Sequence, residues 1–410
     1  MQMKRRDFLK AGLASTAGLM LPIGDRAWAV RAGAQGPRLA VVFLRGAVDG
    51  LNVVTPYAED EYYEYRPTIA LPRPGEGDGL LDLDGHFGLH PALEAVLPLW
   101  KKKELAFVHA CGSPDPNRSH FEAQDYMETA TPGVPGTRNG WMNRLAGALH
   151  LAHAEDTVAF GSTEPLITRG AAATTTFPTG RGASRTMPMD RDPVQLAFDA
   201  LYRKDRRLGR VYSEAVRSRA ALRSALEQDM GSASQGAPDA KGFSGDALRA
   251  ARMMVADPSI RLVFFQLGGW DTHINEGATH GQLANHLKPL GDGLAAFREA
   301  LGPTWRETVV LVVSEFGRTA HENGNRGTDH GHGNVHWVLG GAVRGGRVYG
   351  DWRGLADDAL YQHRDVPVTT DFRSVIDIIL AHHLGLRGHA RATVLPGFMP
   401  SRKGIAGIII

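Results

Sequence analysis

Six short apolar runs mark the chain, at residues 38–44, 105–110, 157–160, 260–267, 308–313 and 335–339. Each is continuous rather than alternating, the pattern of strands buried on both faces. Between and after them, apolar residues recur at helical spacing over 91–103, 121–129, 140–152, 193–229, 245–256, 281–301 and 371–384. This alternation predicts a three-layer α/β/α sandwich with a mainly parallel central sheet. Ligands of such sheets sit beyond the carboxyl ends of the strands, so the residues that follow each run are where chemistry is expected. A Gly/Ser-rich stretch at 231–238 reads as a surface loop or a hinge, and residues 174–189, without a strong period, as a surface loop.

The N-terminus carries a different signal. Arg5-Arg6-Asp7-Phe8-Leu9-Lys10 precedes a mildly apolar Ala/Gly-rich stretch at 11–23 and then Ala27-Trp28-Ala29. The order resembles a twin-arginine export signal over residues 1–29 with a small-x-small cleavage site. Its apolar part falls short of the roughly 20 residues a spanning helix needs, so no stable membrane anchor is expected. The expected location is the periplasm or beyond, with the twin-arginine translocase as a partner during export. A single α/β domain over 37–400 remains. The whole chain has a formal charge of +2, and the signal holds five basic residues against two acidic ones, which leaves the rest near −1. Nothing there favours nucleic acid. One cysteine, Cys111, excludes an intramolecular disulfide and reads as a buried structural thiol.

Histidine is unevenly spread. Seven of the 17 (His273, His280, His286, His321, His330, His332, His336) fall within 64 residues. Residues that follow or precede predicted strands supply Asp49, Asp271, His273, Glu315, Asp329, His330 and His332 as candidate metal ligands. Mixed carboxylate and imidazole donors suit Zn, Mn or Fe better than Ca or Mg. Asp271 and His273 are two apart, so in an extended segment their side chains share a side. Alternatives stand beside these readings: Asp49 as a turn residue, Glu315 paired with Arg318, His336 in the core, and His280, His286 and His321 at the surface. Ser119 opens a predicted helix, where backbone N–H groups favour an anion. It reads either as an oxygen nucleophile or as a cap completed by Glu122. Arg45, Arg118 and Arg318 are candidates to bind a substrate oxyanion.

The segments Arg45-Gly46-Ala47-Val48-Asp49-Gly50-Leu51-Asn52, Arg118-Ser119-His120-Phe121-Glu122-Ala123-Gln124-Asp125, Gly268-Gly269-Trp270-Asp271-Thr272-His273, Ser314-Glu315-Phe316-Gly317-Arg318-Thr319 and Thr370-Asp371-Phe372-Arg373 resemble an exported bacterial family called domain of unknown function 1501. That family is in turn similar to the alkaline phosphatase and sulfatase superfamily. The resemblance implies an alkaline-phosphatase-like sandwich and, in active members, two metals beside a Ser, Thr or modified Cys nucleophile. Two positions depart from the superfamily pattern: Asp271 and His273 are two apart rather than four, and Glu315-Phe316 stands where Asp-His is usual. One metal, two metals with altered ligands, or none all remain open.

Two functions follow as expectations. One is a periplasmic metal-dependent hydrolase of phosphate or sulfate esters, with Ser119 as nucleophile and one or two divalent ions, Zn or Mn. The other is a catalytically inactive relative that binds an anionic or glycan ligand, or an exported protein partner, in the same cavity.

Overall fold

The computed structural model describes residues 36–161, 163–179 and 242–410. The expected export signal at 1–29, the helical pattern at 193–229 and the stretch at 231–238 lie outside them. The central sheet contains β1 (Arg38–Leu44), β2 (Leu105–Gly112), β3 (Thr157–Phe160), β4 (Thr175–Phe177), β5 (Leu262–Leu267), β6 (Thr308–Ser314), β7 (Asn334–Gly340) and β8 (Arg347–Tyr349) in the order β8-β2-β7-β6-β1-β5-β3-β4. A short β9 (Thr370–Asp371) also pairs with β2. Every pairing is parallel except those of β7, which runs against both β2 and β6.

Strand β1 shows why the runs are continuous. Ala40, Val42 and Leu44 face one apolar cluster, and Leu39, Val41 and Phe43 face another. Helices α3 (Phe243–Ala256) and α4 (Gln282–Leu301) cover the first face. Helices α2 (Trp141–Ala148), α5 (Phe372–Ile378) and α6 (Gly388–Val394) cover the second, together with α1 (His120–Thr129) through Met127. The three-layer α/β/α sandwich expected from the pattern is the observed architecture. The C-terminus is tied into it, with Ile405 and Ile408 fully buried and Ile410 N–H donating to the Ala342 carbonyl. No helix among the described residues is long and apolar enough to cross a membrane.

The topology gathers loops at one end. Strands β1, β2, β5 and β6 are mutually aligned, so their carboxyl ends coincide, and antiparallel β7 starts where β6 stops. The whole 315–333 connection therefore stays at that end. Its two legs pack backbone to backbone: Gly317 N–H donates to His332 O at 2.9 Å and Gly331 N–H to Gly317 O at 2.7 Å. A Cβ on Gly317 would stand 1.8 Å from the Gly333 carbonyl, so this crossing admits glycine alone. Gly46, at φ +117°, lets the loop after β1 pass close to the backbone of Asp271.

Candidate metal centre

Three imidazoles meet where these loops converge. His120 opens α1, His273 follows β5, and His330 lies on the second leg of the 315–333 loop. His330 Nε2 is 3.0 Å from His120 Nε2 and 2.9 Å from His273 Nε2. Asp271 joins them, with Oδ1 3.1 Å from His273 Nε2 and 3.5 Å from His330 Nε2, and Oδ2 3.7 Å from His120 Nε2. One donor atom from each of His120, Asp271 and His330 lies within 4.8 Å of the other two.

The opposite ring nitrogens explain the orientation. His120 Nδ1 is 2.8 Å from Glu315 Oε1, His273 Nδ1 is 3.2 Å from Asp329 Oδ1, and His330 Nδ1 is 3.0 Å from the Arg118 carbonyl. A carbonyl or an ionised carboxylate can only accept, so each Nδ1 donates to the acceptor behind it, and in a neutral ring that tautomer leaves Nε2 as the metal-binding atom. Nε2 lone pairs gathered this closely can be shared by one cation. Nitrogens bound to one tetrahedral ion at about 2.0–2.1 Å stand about 3.3–3.4 Å apart, so the rings need only move apart slightly around such an ion. The donor set thus fits a divalent transition metal, and the acceptors behind the rings fix tautomer and orientation as they do in metal sites generally.

The carboxylates around the rings are held ionised. Burial opposes the charge on Glu315, but bonds from His120, Gln124 Nε2 (2.9 Å) and Gly46 N–H (2.8 Å) keep its carboxyl below the ordinary range. Burial also works against the Asp271 charge, and Arg318, whose Nη2 donates to Oδ1 at 2.5 Å, holds it below that range. Asp329 is held low chiefly by the Asn323 amide and then by His273. Burial together with His120 and Arg318 pushes the His330 ring down, against its charged form.

The residues expected from sequence separate into distinct roles. Asp271, His273 and His330 come together. Asp49 does not join them: it is fully buried in an ion pair with Arg66, whose guanidinium also donates to Asn52 Oδ1, Thr319 O and Ala320 O. Glu315 and Asp329 stand behind imidazoles rather than beside the other donors, and Glu315 pairs with His120 rather than with Arg318. His332 is turned away, with Nε2 3.2 Å from the Ser113 carbonyl. His336 is a core residue whose Nδ1 lies 3.3 Å from Cys111 Sγ. Ser119 is exposed, and its side chain makes no capping bond. Arg45 is engaged by Gln124, Gln266 and Glu128, and Arg118 by Asp365 and Gln362. Arg318 is buried against Asp271 and the carbonyls of Gly46, Ala47, Trp270 and Thr328.

The sequence pattern points to Ser119 rather than to the neighbouring His120 at this helix start. The available signal was its place at a helix start after a strand-end turn, four residues before Gln124, so that both face Glu315 from one side of α1.

Residues 37–395 match the family model described as "Protein of unknown function (DUF1501)". The chain belongs to the DUF1501 family. No curated protein matches it in sequence. Among solved structures, it overlaps the C-terminal periplasmic domain of EcEptC from Escherichia coli, in complex with Zn, at 11% identity and a TM-score of 0.43, covering 91% of this chain and 90% of that one. Ps i-CgsB in complex with k-i-k-neocarrahexaose gives 10% identity and a TM-score of 0.40 over 88% of this chain and 74% of that one. The lipoteichoic acid synthase LtaP from Listeria monocytogenes gives 10% and 0.34 over 81% and 71%. Overlap this loose carries no weight for the architecture, which stands on its own sheet order and layers.

Proposed function

We propose that the protein is an exported, metal-dependent hydrolase-like enzyme that acts on phosphate or sulfate esters through Ser119. The observation that carries this reading is the convergence of three inward-facing Nε2 atoms with Asp271, each ring held from behind by an acceptor. His120, His330 and Asp271 would hold one ion, with His273 as a fourth donor. Zn and Mn suit this set.

Access supports catalysis over a purely structural role. The side chains of His120, His273, His330 and Asp271 are 24%, 37%, 25% and 44% exposed, whereas structural metal sites are closed. When bound, the ion supplies a Lewis acid for the ester and for a hydroxyl nucleophile. Ser119, next to His120 and free of capping duty, supplies that hydroxyl. Its Oγ forms the bond to phosphorus or sulfur and loses its proton to solvent, while the ester bond to the alcohol oxygen breaks and that oxygen takes a proton from solvent. Water then cleaves the seryl ester, which frees the inorganic anion and restores Ser119. Glu315 and Asp329 keep His120 and His273 oriented throughout.

One observation favours the second reading, a catalytically inactive protein that binds an anionic or glycan ligand or an exported partner. Arg45, Arg118 and Arg318 all have protein acceptors, so none of the three stands ready for an ester oxyanion. A screen of phosphate and sulfate esters on the metal-supplemented protein separates the two. Turnover lost in Ser119→Ala with metal content unchanged supports the enzyme, and turnover unaffected by Ser119→Ala overturns the nucleophile assignment. No turnover on any ester favours the binding protein.

A further inference from the structure

Glu276 lies on the loop after β5, fully buried, and takes no part in the donor set. Its Oε2 accepts hydrogen bonds from two threonine hydroxyls, Thr272 Oγ1 at 2.9 Å and Thr328 Oγ1 at 3.0 Å. Thr272 separates Asp271 from His273, and Thr328 directly precedes Asp329 and His330. One carboxyl oxygen therefore ties the β5 loop to the second leg of the 315–333 loop at the points where each presents donors to the centre.

The backbone follows the same seam. Thr328 N–H donates to Thr272 O at 3.2 Å, Glu276 N–H to Arg326 O at 2.9 Å and Asn275 N–H to Asn325 O at 3.0 Å. Behind Glu276 stands the Asp49–Arg66 ion pair, with Asn52 Nδ2 3.5 Å from Glu276 Oε1. Burial and the neighbouring Asp49 carboxylate push the Glu276 carboxyl well above its ordinary range, while its Oε2 accepts from both threonines. A fully buried carboxyl whose oxygens face two threonine hydroxyls and the Asn52 amide is a structural joint rather than a ligand.

We propose that Glu276 is a positioning residue that sets the register of the two loops bearing Asp271, His273 and His330, and thereby the affinity and geometry of the metal centre. The inference rests on the metal reading above. Its test is titration of the metal-free full chain with Co(II), read by the d–d spectrum, in Glu276→Gln, Glu276→Leu and the double variant Thr272→Val/Thr328→Val, with the melting temperature of each metal-free protein alongside. Glutamine keeps an acceptor for both hydroxyls and a donor toward Asp49, so E276Q should bind as the unmodified chain does. E276L should bind at least tenfold more weakly, within the range for lost outer partners of metal ligands, with an altered spectrum. The double threonine variant keeps Glu276 and the Asp49–Arg66 pair behind it, removes only the two hydroxyls, and should show the same loss, so the proposal stays testable if E276L fails to fold. Unchanged affinity and spectrum in the double variant, or E276Q falling as far as E276L, overturns the proposal. An unmodified chain that takes up no Co(II) overturns the metal reading beneath it.

Discussion

Replacing Glu315 probes the account where charge, packing and chemistry meet. Its Oε1 accepts from His120 Nδ1, Gln124 Nε2 and Gly46 N–H, and its Oε2 from the Ser314 hydroxyl. In Glu315→Gln, an amide oxygen in the place of Oε1 keeps the first three bonds, and the amide nitrogen faces the Ser314 hydroxyl, which can accept. What is lost is the charge, about 1 kcal/mol of stability per bond weakened from charged to neutral strength. Glu315→Ala also strands the buried Gly46 N–H and the Gln124 amide, at about 1–3 kcal/mol each. For the metal, loss of the partner behind an imidazole weakens binding about 10- to 100-fold, or ~1.4–2.7 kcal/mol. The assay is a competitive chelator titration of Zn beside urea denaturation of the metal-free forms. E315Q is expected near the lower end of that range and E315A near the upper, with His120→Ala weaker still. The Glu315 carboxyl is held below its ordinary 4.5, so its contribution is present above that pH and is lost as pH falls through the lower folded value. The stability gap between the unmodified chain and E315Q should therefore narrow below about pH 4.5. Metal affinity unchanged in both variants would refute the role given to Glu315 in orienting His120.

Other consequences follow from the buried groups. Burial pushes His90, His109 and His336 down to about 4 from an ordinary 6.5, so the unfolded chain takes up protons that the folded one refuses. Stability is then full above pH 6.5 and falls toward pH 4, by up to ~1.4 kcal/mol per pH unit for each ring that is fully titrated. Melting temperatures of the metal-free protein that stay flat between pH 6.5 and 4.5 would contradict this. Arg66→Met should cost about 3–5 kcal/mol in urea denaturation, because it leaves the fully buried Asp49 carboxylate without a counter-charge. The double variant Arg66→Met/Asp49→Asn should lose less than Arg66→Met alone, and an equal or larger loss would count against the pair. His332→Ala should leave metal affinity within about twofold, since its ring is directed at Ser113 rather than at the centre, and loss of metal in that variant would place it in the donor set.

The layered sheet was legible because strands buried on both faces, such as β1 and β6, leave unbroken apolar runs. Shorter strands were not. Arg347–Tyr349 and Thr370–Asp371 lack such a run, and Thr175–Phe177 sits in a stretch read as loop. The antiparallel course of β7 is set by the 315–333 connection returning at the same end of the sheet, which no local pattern records. At the site, Asp271, His273 and His330 were visible because sequence neighbours supply them from two strand-end loops. His120 comes from a third loop, and its partners Glu315 and His330 are 195 and 210 residues away. Ligands and the groups behind them carry the same side chains, so only orientation separates His330 from His332, or Asp271 from Asp329. No local pattern tells Asp49 from a ligand, because the group that occupies its carboxylate is Arg66, 17 residues on.

The most direct test of the metal centre is elemental analysis of the purified chain and of its His120→Ala, His330→Ala and Asp271→Ala variants. One equivalent of a divalent transition metal, lost in all three and retained in Asp49→Asn, is the predicted result. No bound metal, even after incubation with Zn or Mn, or metal retained without His120 and His330, would contradict it.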